Sequence, residues 1–139
     1  MRMALAAAFT VMCAAFALPA AGQGMEPGEW EIRTVISSSA MQVPQVATGV
    51  QCVTPEDARE PARYVARDTP GCVITPGART AASYNWTIKC DAGMRGAGKA
   101  RFSGKTIESE IRTNVNFQGF KMEILTATKA RRLGPCAAK

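Results

Sequence analysis

The chain contains no histidine. That single absence removes serine–histidine and cysteine–histidine catalysis and every histidine-based metal site. No two cysteines lie closer than 18 positions once Cys13 is set aside, whereas structural zinc sites usually bring their ligands in close pairs. No apolar run reaches the ~20 residues a membrane-spanning helix needs. The longest, Ala4 to Leu18, falls short of that. There is no internal repeat and no low-complexity block, which excludes solenoids and arrays. Met41, Met94 and Met122 are scattered, so they read as gap-fillers rather than a soft-metal cluster.

The start of the chain reads as a targeting segment. Met1-Arg2-Met3 gives a positive start, Ala4 to Leu18 carries no charge, and Pro19-Ala20-Ala21-Gly22 supplies small residues for a signal peptidase. Residues 1–22 are therefore predicted to be a secretory signal peptide, and residues 23–139 one exported domain, periplasmic or secreted. That remainder is long enough to bury about two-thirds of its unfolded surface.

Loss of Cys13 with the signal leaves Cys52, Cys72, Cys90 and Cys136. An even number in an exported chain reads as two disulfides. A cysteine nucleophile is then excluded as well. With five cysteines in total and no histidine, no residues are nominated as catalytic or as metal ligands, and no cofactor is implied.

Charge is unevenly placed. Residues 23–94 hold 6 basic and 8 acidic side chains, and residues 95–139 hold 10 basic and 3 acidic. The basic half suits an anionic partner such as an envelope surface, with nucleic acid the least compatible choice for an exported chain. A solvated sheet face is the plainer reading of the same charges.

Alternation dominates the rest. Trp30, Ile32, Thr34 and Ile36 share one side of a first strand, and Val46 to Val53 forms a second. Thr54-Pro55-Glu56-Asp57 is a helix start, with a capping hydroxyl, a proline suited to the first turn and two acids at the positive end. The helix is predicted to run to about Ala66, with Arg59, Arg63 and Arg67 as one exposed stripe. Cys72 to Thr75, a turn over Ala78 to Ala82, and Ser83 to Cys90 then make a hairpin. A turn centred near residue 81 sets Cys72 opposite Cys90, favouring Cys72–Cys90 and Cys52–Cys136, with two other connectivities open. Asp91 to Gly96 is predicted as a glycine-rich turn and bulge, followed by strands Ala97–Phe102, Thr106–Phe117 and Phe120–Arg131. The expectation is a mainly β (α+β) fold: an antiparallel meander of about seven strands, curled or partly closed as a barrel, with one short α-helix.

Glu108 and Glu110 are the best carboxylate pair, sharing a strand face with Arg112. Glycoside cleavage asks for two carboxyls about 5–10 Å apart. A carboxylate-dependent hydrolase is the reading they would support; ordinary solvated charge is the simpler one. Gly93-Met94-Arg95-Gly96-Ala97-Gly98 resembles a phosphate loop only in composition, because a strand follows it rather than a helix.

Several blocks together resemble a known family. They are Pro27-Gly28-Glu29-Trp30-Glu31, Gln51-Cys52-Val53-Thr54-Pro55-Glu56-Asp57-Ala58, Gly71-Cys72, Tyr84-Asn85-Trp86-Thr87-Ile88-Lys89-Cys90, Gly93-Met94-Arg95-Gly96-Ala97-Gly98 and the closing Arg132-Leu133-Gly134-Pro135-Cys136. In this order they are similar to the bacterial exported family catalogued as domain of unknown function 3617. The resemblance implies an exported β-rich domain with paired cysteines and transfers no catalytic residue. A smaller likeness is to lipocalins: Gly28-Glu29-Trp30 opens the first strand and Arg131 or Arg132 comes late. It implies a barrel carrying a small apolar ligand, with Trp30, Trp86, Phe102 and Phe117 lining or closing the cavity. The leading functional expectation is a non-catalytic module that binds an envelope protein or surface.

Overall fold

A computed structural model describes residues 24–66 and 68–137. The predicted signal segment, Arg67 and the last two residues lie outside the described residues. Seven strands form one open antiparallel sheet in the order β2-β1-β7-β6-β5-β4-β3. They are β1 (Gly28–Ser38), β2 (Gln45–Val53), β3 (Cys72–Arg79), β4 (Ser83–Cys90), β5 (Met94–Phe102), β6 (Thr106–Phe117) and β7 (Phe120–Gly134). Strands β3 to β7 run as a meander. The last of them, β7, then pairs with β1, so the β1–β2 hairpin extends the far side of the sheet. Closure into a barrel does not occur: β2 and β3 are edges.

The connection from β2 to β3 has to pass from one edge to the other. It contains two helices, α1 (Pro55–Arg59) and α2 (Pro61–Val65). The single predicted helix is broken because Pro61 has no N–H to donate and restricts the residue before it. Glu60 accordingly sits at φ −123°, ψ 59°. The start is as expected. Thr54 Oγ1 accepts from the Asp57 amide at 3.1 Å, and the Asp57 carboxylate accepts from the Thr54 amide at 3.3 Å, a reciprocal capping box.

One face of the sheet is apolar at the end that the helices cover. Trp30, Val53, Tyr84, Trp86, Ala100, Phe102, Ile107 and Ala130 are buried there with Met25 and Ala62, and Ala58, Tyr64, Val65 and Ala66 pack against them. Trp30 is fully buried. Its indole N–H donates to the Glu26 carbonyl at 2.9 Å, so the polar edge is satisfied inside the core. Toward the other end the same face carries Thr34 and Thr128, whose hydroxyls meet at 3.1 Å across β1 and β7.

Two disulfides pin the assembly. Cys72 and Cys90 are direct partners across β3 and β4, with Cα atoms 3.9 Å apart. Cys52 and Cys136 join the second strand to the tail, with Cα atoms 5.5 Å apart. The four cysteines of the described residues are all in disulfides.

Three boundaries differ from the sequence expectation. Strand β3 continues to Arg79, opposite Tyr84, through a register shift after Pro76, and the turn shortens to Thr80–Ala82. Thr80 closes it, its amide donating to the Ser83 carbonyl at 2.9 Å. Strand β5 starts at Met94, and Gly96 and Gly98 keep regular register with both neighbours, so no bulge forms. Strand β7 runs on to Gly134 because β1 pairs with it almost to its end.

Candidate functional site

The other face of the sheet carries the charge. Register sets its residues in rows across the strands, and neighbouring strands are about 4.8 Å apart. One row reads Ser83, Arg101, Glu108, Lys129, Arg33, Thr48, from β4 through to β2. Three cations therefore flank one carboxylate over four adjacent strands. The next row reads Asn85, Lys99, Glu110, Ala127, Val35.

These side chains engage each other unevenly. Glu110 accepts from Arg112 Nε at 3.0 Å and lies 3.8 Å from Lys99 Nζ. Lys129 Nζ is 3.8 Å from Glu108, and Arg112 reaches Glu123 at 3.6 Å. Arg131 donates to Glu31 at 2.8 Å, and this hydrogen bond, with the attraction of the carboxylate, raises the guanidinium pKa above its ordinary value. Arg33 and Arg101 have no ion pair among the described residues.

Between the charges the surface is hollowed. A depression of about 390 Å³ is lined by Ser83, Asn85, Lys99, Glu108, Glu110, Ala127 and Lys129, among others. A second, of about 360 Å³, adjoins it through Asn85, Lys99 and Glu110 and includes Ala97, Gly98 and Arg112. Small residues at outward positions make the floor: Ala97 and Ala127 stand where a strand would otherwise carry a long side chain. A further hollow of about 450 Å³ lies against the helices, lined by Gln51, Glu56, Asp57, Arg59, Glu60, Arg63 and Tyr64. Arg59 and Arg63 thus meet there although they belong to different helices.

The structure separates the four aromatics nominated as ligand-lining. Trp30, Trp86 and Phe102 are core residues, whereas Phe117 is 57% exposed at the β6–β7 hairpin, opposite Phe120. Glu108 and Glu110 do share the charged face, with Arg112 beside Glu110. The two late arginines take opposite sides. Arg131 is on the charged face with Glu31, and Arg132 is the β7 partner of Trp30. Arg132 Nε donates to the Pro27 carbonyl at 2.8 Å. At Gly28, φ is 146°, and a Cβ there would run into the Gly134 carbonyl and sit 2.6 Å from Arg132 Nε. Glycine is needed at 28 both for its backbone and for this approach.

The hollow was missed in the sequence because its signal is a lack of bulk. Ala97 and Ala127 read only as strand residues, and it is the pairing of β5, β6 and β7 that sets them in two adjoining hollows.

No helix among the described residues is long and apolar enough to cross a membrane. No curated protein matches the chain. The family model described as "Protein of unknown function (DUF3617)" matches residues 25–136, which takes in every strand, both helices and all four disulfide cysteines. The chain belongs to the family of proteins of unknown function DUF3617.

Proposed function

We propose that this protein is an exported, non-catalytic binding module of the cell envelope, and that it docks through its charged sheet face onto a phosphate-bearing anionic surface. The observation that carries the reading is the row Arg101, Glu108, Lys129, Arg33. Three cations share the row with one carboxylate, which pairs with Lys129 alone, and the other two cations have no ion pair among the described residues. The rows sit on an array of strands fixed by two disulfides, so the backbone positions that carry the charges are set before contact. The predicted signal segment and the cystines support export.

The test is co-sedimentation of the oxidised chain with phosphatidylglycerol vesicles against phosphatidylcholine vesicles. Each cation near an anionic surface contributes about 1 kcal/mol, so the variant R33Q/R101Q/K129Q should bind roughly 100-fold more weakly. Binding should also fall as salt is raised. Equal sedimentation with neutral vesicles, or a triple variant that binds like the parent, would sink the reading.

A further inference from the structure

The two edges of the sheet are built differently. Edge β3 contains Pro76 and a register shift between Pro76 and Arg79, and both features discourage another strand from pairing there. Edge β2 has neither. It pairs with β1 without a shift from Gly28↔Val53 to Ile36↔Gln45. It has no proline and no charged side chain, and Gln45 to Cys52 are all exposed. Among the described residues no strand pairs with its other side, which therefore offers a regular row of backbone donors and acceptors without the usual protection.

Two further residues say what fits there. Val46 and Val50 are 54% and 60% exposed on the charged face of the sheet, two positions either side of Thr48. We propose that β2 is a dimerisation edge: a second copy of this chain adds its own β2 antiparallel, about a two-fold axis through Thr48. In that register Val46 opposes the partner's Val50, and Val50 opposes the partner's Val46. Each exposed valine gains an apolar cross-strand neighbour. The register is also consistent with the backbone. Every opposed pair joins residues of the same parity, so the groups pointing outward on one copy meet those pointing outward on the other.

A second copy fits this edge better than a charged peptide does. The strand has no charge with which to select one, and its apolar pattern is complementary to itself, as an isologous contact requires. The axis is perpendicular to the sheet, so the row holding Arg33, Lys129 and Arg101 faces the same way in both copies. The interface is small, which places the dimer among weak, concentration-dependent associations.

Sedimentation equilibrium of the oxidised chain, from micromolar to millimolar concentration, tests the proposal. A rise from monomer to dimer mass is expected. Val46→Lys with Val50→Lys sets lysine against lysine and should leave a monomer at every concentration. Val46→Lys with Val50→Glu sets opposite charges together and should restore the dimer. Both positions are exposed, and circular dichroism matching the parent checks that the variants fold. Raised salt should strengthen the parent dimer, because two positively charged copies repel. It should weaken vesicle binding, so the two ideas fail separately. A parent that stays monomeric at millimolar concentration, a dimer that the double lysine variant leaves intact, or a charge-swapped variant that stays monomeric would each overturn it.

Discussion

Gly98 on β5 lies directly under the indole of Trp86, its partner on the adjacent β4, so close that a Cβ at position 98 would run into the ring. The indole is in turn stacked on Tyr84, with ring centroids 5.3 Å apart. Gly98→Ala should push a buried, rigid ring off its seat. Overpacking of this kind costs about 1–3 kcal/mol. A melting curve checks it. Gly49→Ala is the control: a Cβ at 49 meets nothing within 4 Å, and its melting temperature should match the parent.

The two disulfides should differ in worth. Cys52–Cys136 closes a separation of 84 residues and Cys72–Cys90 one of 18. On the loop-entropy account, losing the long link should cost roughly 2–5 kcal/mol, and losing the short one about 1 kcal/mol less. Urea titrations of C52S/C136S and C72S/C90S compare them. An unchanged midpoint for the first pair would show that the long link leaves the folding equilibrium alone.

Trp30→Ala removes a fully buried indole and should cost about 3–5 kcal/mol. Trp30→Phe keeps most of the volume but loses the bond to the Glu26 carbonyl, for about 1 kcal/mol. Chemical denaturation of both variants separates packing from hydrogen bonding.

The other nominated aromatic should behave differently. Phe117 and Phe120 face each other at the hairpin tip, each 57% exposed. A Phe117→Ser/Phe120→Ser double variant should lose no more than about 1 kcal/mol, the worth of one cross-strand pair. A melting transition as depressed as that of Trp30→Ala would mean that the hairpin tip is packed against something.

Alternation made the strands readable, and β6 appears at the bounds its pattern marks, Thr106–Phe117. The Cys72–Cys90 cystine was favoured by a turn near residue 81, although the cysteine count alone left two other connectivities open. The break at Glu60 was also written in the sequence: Pro61 stands mid-helix, but the strong cap at Thr54 and the arginine spacing argued for one continuous helix. Periodicity alone did not carry the return of β7 to β1. That pairing joins residues about a hundred positions apart, and its local traces are only Trp30 and Arg132, which become neighbours across the sheet. The charged basin was hidden for the same reason, since Ala97, Glu110 and Ala127 come from three strands.

Cys52–Cys136 ties β2 to the tail that follows β7, with β1 lying between them in the sheet. Under tension the molecule therefore has two very different lengths. Pulled by Gly24 and Cys136 with the link intact, only the stretch before Cys52 can pay out, on the order of 100 Å at full extension. With the link reduced, the same grip could draw out roughly 390 Å. Under such a pull the bond acts as a stop: strain reaches the edge strand and the Trp30 strand first, while the strands between Cys52 and Cys136 are spared.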